Sequence, residues 1–214
     1  MVIDSINLFA SSTTAFISHS LSHLGYQVGT YTSPHLFDYR ERLQLNHTPI
    51  SESDFTDYIS QVIEVSSDRL TEFEILTLAS FLYFRDTSPD FVIYETGLGG
   101  RLYTTNVITP ILTLITRIDY DHQDLLGPTL TDIATEKAGI IKPNCPVITI
   151  STQPTEALTV LEATSKAQAA PLKVAQPLSL PSSFAMQGAF QEENIAIADE
   201  AISNLFSEHY CPIL

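Results

Sequence analysis

The chain has 214 residues, 44% of them apolar, which is ample for one α/β domain with a sizeable core. Its net charge is −15 and its Lys and Arg residues are scattered, so it carries no electrostatic footprint for nucleic acid or an anionic membrane. Cys145 and Cys211 follow no metal-ligand spacing, no apolar run is long enough to span a bilayer, and MVIDSINLFASS lacks the features of a signal peptide, so the sequence reads as soluble and suited to a reducing cytoplasm.

Ser11 to Leu24 places Ile17, Leu21 and Leu24 on one helical face, with Gly25 as the stop. His19 and His23 have the i, i+4 spacing of metal ligands but no third ligand beside them, and a solvated face is the simpler use. Tyr26 to Tyr31 reads as a strand that delivers the loop Thr32-Ser33-Pro34-His35-Leu36, in which Pro34 biases Ser33 toward an extended backbone. Ser51 to Val65 is an amphipathic helix with Phe55, Tyr58, Ile59, Val62 and Ile63 on its core side. Thr71 to Phe84 is apolar nearly all round and reads as a helix buried against a sheet, with Glu74 as a partner for its N-terminal dipole.

Phe91 to Tyr94 and Ile111 to Ile115 have the length and β-branched content of buried strands. A helical segment begins at Thr129. Pro146 to Ile150, Pro154 to Ala169 and Leu172 to Ala175 continue as strand, helix, strand, with Pro154 near the first helical position. Gln176 to Phe184 reads as a surface connection, and Gln191 to Phe206 as a last helix. This alternation predicts an α/β fold with a mostly parallel sheet and helices on both faces.

In such a sheet ligands bind beyond the carboxyl ends of the strands. Glu95 ends one strand, Asp121 and His122 follow the next, and Glu136 and Lys137 close the helical segment begun at Thr129. Each has an ordinary reading: Glu95 as a solvated loop residue, His122 as a hydrogen-bonded loop histidine, Glu136 and Lys137 as a solvent-facing pair. Interleaved with GLGGR and LLGPTL, they point to one site. GLGGR is not a dinucleotide fingerprint, because position 102 is Leu102 where that spacing needs glycine. Its glycines suit close approach of the backbone to a substrate.

ETGLGGRLYTTNV followed by DYDHQDLLGPTLTDIATEKAGIIK resembles the central domain of folylpolyglutamate synthases, relatives of the Mur ligases. YTSPHL with YRERLQLNHTPIS, the T-x-F-E start at Thr71, and GAFQEENIAIA resemble further motifs of that family. The resemblance implies a Mur-ligase-type, P-loop-NTPase-like domain over 1–214. It further implies a monomer acting on reduced folate, L-glutamate and ATP with Mg²⁺, with dihydrofolate synthase activity as a companion function. Carried over, Ser33 and Glu95 would hold one magnesium, and Glu95, His122 and a carbamylated Lys137 the second. Glu95, His122 and Lys137 would be the catalytic set, Asn194 would help hold the nucleotide base, and Gly99, Gly100 and Arg101 would meet the substrate.

The pattern breaks at its phosphate loop. Ile6 to Ser12 reads INLFASS where the family has G-T-N-G-K-G-S, Ala10 stands in the place of the lysine, and Lys137 is the first lysine of the chain. Ser12 and Thr13 are what remains of the loop's hydroxyl end. Tyr103 and Thr104 replace the family's Asp-Ala, Phe190 replaces a histidine, and the family's C-terminal domain is expected to be absent. A relative that binds a folate-like molecule or a partner without turnover is therefore the competing reading. YTSPHL argues against a cell-wall Mur ligase.

Overall fold

The computed structural model describes residues 1–6, 10–66, 70–184, 186 and 188–206. Eight strands form one sheet: β1 (Val2–Ile6), β2 (Val28–Tyr31), β3 (Leu43–Leu45), β4 (Thr48–Pro49), β5 (Phe91–Thr96), β6 (Leu112–Ile115), β7 (Val147–Ile150) and β8 (Leu172–Ala175). Their order is β4-β3-β2-β5-β1-β6-β7-β8. Neighbours from β2 through β8 are parallel, and β3 and β4 add an antiparallel margin. The helices are α1 (Ala10–His23), α2 (Glu52–Val65), α3 (Glu72–Thr87), α4 (Gln123–Leu126), α5 (Leu130–Ala138), α6 (Thr155–Ala167) and α7 (Ala189–Leu205).

The expected fold class forms because the central strands are apolar on both faces and successive side chains point opposite ways. Phe91 and Ile93 of β5, with Ile148 and Ile150 of β7, pack under Ile17 and Leu21 of α1 and Ile197 and Ala201 of α7. On the opposite face Val92 and Tyr94 meet Leu76, Tyr83 and Phe84 of α3. Farther along that face Val147 meets Ile133 of α5 and Leu161 of α6.

The helix starts obey local chemistry. Ser51 caps α2, and Thr71 with Glu74 forms a reciprocal capping box on α3, so Glu74 bonds the Thr71 backbone as well as favouring the dipole. Thr129 and Asp132 form a second box, which starts α5.

Several details depart from the sequence reading. The strand β1 lies between β5 and β6 and escaped it, because Asp4 and Ser5 interrupt the apolar run of VIDSI. Asp4 is nonetheless fully buried, where its Oδ1 accepts the Thr96 hydroxyl at 3.0 Å. β2 begins at Val28 rather than Tyr26, whose ring packs edge-on against Phe91 at 5.2 Å. Leu24 and Ile63 are exposed, Phe73 and Leu78 keep an exposed side on α3, and Pro154 precedes α6 as its cap. His19 stacks on His47 at 3.8 Å, which gives it a partner that is not a metal.

Candidate active site

A cavity of about 620 Å³ opens at the carboxyl edge of the sheet, within the size range of ligand pockets. Ser33, Glu95, Gly99, Gly100, Asp121 and His122 all line it. The parallel order explains the convergence: Ser33 lies just beyond β2, Glu95 near the end of β5, and His122 in the segment after β6. His122 itself sits at φ 46° as the cap of α4, with Nε2 3.4 Å from Asp121 Oδ1.

Glu95 is buried in register with Ser5 of β1. Ser11, in the first turn of α1, donates to Glu95 Oε1 at 2.8 Å. Its other oxygen, Oε2, is buried with no hydrogen-bond partner among the described residues. Burial pushes the carboxyl up to about 7, and the Ser11 hydrogen bond opposes that rise.

Lys137 does not line the cavity. It sits in the last turn of α5, only 1% exposed, and is one of the largest fully buried side chains. Burial pulls its amine down to about 8, against the opposing pull of Asp121, which does line the cavity. The amine is thus electrostatically coupled to the cavity wall.

Arg101 also stays out of the cavity. Its guanidinium pairs with Glu136 at 2.9 Å and its backbone N–H donates to the Glu136 carbonyl at 2.8 Å. A Cβ on Gly139 would meet Arg101 Cβ at 2.4 Å, so glycine there lets the GLGGR turn dock on the end of α5. Ser12 accepts a hydrogen bond from Gln191 Nε2 of α7 at 3.3 Å, Thr13 is fully buried, and Asn194 lies buried one turn along α7. None of these three lines the cavity, and the Ser12–Gln191 bond lies where α1 packs on α7. Residues 7–9, at the centre of the phosphate-loop position, lie outside the described residues.

Three residues of the site were not given a site role by sequence: Ser11 holds Glu95, while Arg42 and Phe73 line the cavity, as does Tyr103, which stood out only as a departure from the family motif. Arg42 is buried, donates from Nε to His35 Nδ1 at 3.0 Å, and places its guanidinium 5.2 Å from the Phe73 ring centroid. A buried arginine beside aromatic rings was legible only in the RER triplet, and nothing local marks Ser11.

The fold and this cleft define a parallel α/β protein of the kind whose ligand crevice lies beyond its strand ends. The chain is homologous to the folylpolyglutamate synthases. It is 46% identical over 170 residues to the dihydrofolate synthase/folylpolyglutamate synthase of Bacillus subtilis, matching 76% of this chain and 39% of that protein. It is 38% identical over 175 residues to a folylpolyglutamate synthase of Arabidopsis thaliana, matching 78% of this chain and 28% of the relative. The apo form of L. casei FPGS superposes with a TM-score of 0.89 at 28% identity, covering all of this chain and 60% of that one. An FPGS–AMPPCP–folate complex gives 0.85 at 29% identity, covering 93% and 56%. The chain thus spans less than half the length of these curated relatives. No family model matches.

Proposed function

We propose that this chain carries the ATP- and folate-binding region of a folylpolyglutamate synthase-type ligase. In that reaction a folate γ-carboxylate takes the terminal phosphoryl group of ATP, releasing ADP and leaving an acyl phosphate. The amine of L-glutamate then displaces phosphate through a tetrahedral intermediate to form the amide. The dihydrofolate synthase reaction, with dihydropteroate as the acid, has the same form. The observation that carries the reading is that Ser33, Glu95 and His122 face one cavity, with one buried Glu95 oxygen unmet.

Ser33 and Glu95 bring oxygen donors of the kind Mg²⁺ takes to one cavity, although no group of three or more His, Cys, Asp or Glu side chains gathers as a metal site among the described residues. Glu95 Oε2 is a buried carboxyl oxygen with no hydrogen-bond partner among the described residues, and when ionised it is the kind of hard oxygen donor that Mg²⁺ takes. Ser33 and Glu95 would hold one ion, and Glu95, His122 and Lys137 the second. When bound, Mg²⁺ neutralises charge on phosphate oxygens. Ser11 meanwhile fixes the orientation of the Glu95 carboxylate.

Lys137 suits the role only after modification, since an ammonium beside divalent cations is repelled. Burial leaves a substantial fraction of its amine neutral near pH 8. That amine can add to CO₂, forming an N–C bond and losing a proton to water, which converts a cation into an oxygen donor. The 1–214 unit, on this reading, is a monomeric central-type domain working in the cytoplasm, which agrees with a buried free thiol at Cys145.

The INLFASS sequence favours a second reading, ligand binding without turnover. Losing a charged donor to a transferring phosphoryl group costs on the order of 10²- to 10³-fold in rate. Folate-dependent ADP formation with Mg-ATP and glutamate would establish the first reading. Calorimetric heat with folate but none with millimolar Mg-ATP would establish the second, and no heat with either removes both.

A further inference from the structure

Beside the main cleft lies a second cavity of about 370 Å³, between α3 and the turn that follows GLGGR. Leu70, Leu78, Phe81 and Val107 give it apolar walls. Its volume corresponds to roughly a dozen waters, at about 30 Å³ each in the liquid, or to one further ring system of a ligand. Both cavities are lined by Leu102, Tyr103 and Thr104, so these residues stand between them.

Tyr103 is the part of this partition that crosses the gap. Its base is fixed: the backbone N–H donates to the Gly100 carbonyl at 3.0 Å, and neighbouring Thr104 Oγ1 lies 2.7 Å from Thr77 Oγ1 on α3. Its tip reaches the ends of β2 and β5, where a Cβ on Gly97 would meet Tyr103 Oη at 2.8 Å and Ser33 Oγ at 3.0 Å. The ring leans on Phe73, centroid to centroid 6.1 Å. Tyr103 Oη is buried beside the Ser33 hydroxyl and the Gly97 backbone, whose hydrogen bonding opposes the upward push of burial on the phenol, so the tip rests against the ends of β2 and β5.

We propose that Tyr103 is a specificity-determining residue that sets the length of aromatic acid the cleft accepts, by closing it from the 370 Å³ cavity. The inference rests on the ligand site argued above, and deepens it. An acid that fits the cleft ends against the Tyr103 ring; a longer one meets a wall. Removing the ring joins the two spaces into a single deeper cleft running under α3.

Two ligand series test this by calorimetry on the full chain. One comprises pteroate, pteroylglutamate and pteroyltriglutamate; the other benzoate, biphenyl carboxylate and terphenyl carboxylate, which make no appeal to folate chemistry. Tyr103→Ala is expected to improve binding of the longest arene acid by at least about tenfold relative to the shortest, and Tyr103→Leu to do so if the alanine variant fails to fold. Tyr103→Phe keeps the wall and the wild-type order of affinities. Any fall in its melting temperature is expected to be small, because it loses only the hydroxyl's contacts with Ser33 and Gly97 and keeps the packed ring.

An unchanged length preference in both shortened variants overturns the proposal, as does a crystal structure of either with the cavities still separate. If folates bind wild type and variants with the same preference, this inference fails and the ligase reading stands. If the arene acids are re-sorted while no folate binds, the ligase reading fails and this inference stands. Binding of neither series by the wild-type chain overturns this inference too.

Discussion

Ser11 and Glu95 lie 84 residues apart and are joined by a hydrogen bond of 2.8 Å. That bond ties the first turn of α1 to the end of β5, at the edge where the ligand cavity opens.

Glu95 makes stability fall as pH rises. Its folded pKa of about 7 lies above the ordinary value of 4.5, so the folded state holds its proton more tightly than the unfolded one. The contribution is fully present below about pH 4.5 and is lost as pH rises through about 7, a change on the order of 3 kcal/mol. Glu95→Gln is expected to remove this slope and to be more stable than wild type at pH 8, measured by urea unfolding at pH 5 and pH 8. Ser11→Ala removes an opposing donor and should steepen the slope.

Lys137 acts in the opposite sense. Its folded pKa of about 8 lies below the ordinary 10.5, so the folded state binds the proton less tightly and stability rises between those values. Below pH 8 the buried cation carries a cost of about 3 kcal/mol. Lys137→Met should therefore stabilise the chain at pH 7 by up to about that amount. In labelled bicarbonate, carbon NMR should show a carbamate signal in wild type that the methionine variant lacks; the same spectrum in both would discard the modification.

Magnesium is expected to raise the melting temperature of wild type at pH 8, where Glu95 is ionised and its Oε2 unmet. The gain should vanish in Glu95→Gln and shrink in Ser33→Ala. An equal gain in all three proteins would locate the ion elsewhere.

Thr129 caps the helix that carries Lys137, through a reciprocal box with Asp132. Thr129→Ala should cost about 1 kcal/mol. The loss is expected in urea unfolding at every pH between 5 and 9, because Thr129 does not titrate.

Much of the fold was legible because its signals are local. Gly25 after α1, the Thr71 and Thr129 caps, and the β-branched runs of β5, β6 and β7 each report on a few consecutive residues. The strand β1 was not legible, since Asp4 and Ser5 make it look half-exposed although it runs between β5 and β6. The helix α3 looked uniformly apolar, yet Phe73 and Leu78 face outward near the two cavities.

Sequence alone determined most of the alternation of strands and helices, with β1, β3, β4 and α4 unread, together with the candidate acid, imidazole, hydroxyl and amine and the kinship carried by their spacing, because periodicity, capping and motif chemistry are written within short windows. Tertiary structure decided which of them share a space. The parallel register brings Ser33, Glu95 and His122 to one edge, leaves Lys137 behind the wall and Arg101 paired to Glu136, and sets Tyr103 between two cavities. Burial and mutual distance are properties of the packed chain, and the shifted acidities of Glu95 and Lys137 arise only once neighbours far away in sequence have excluded water from them.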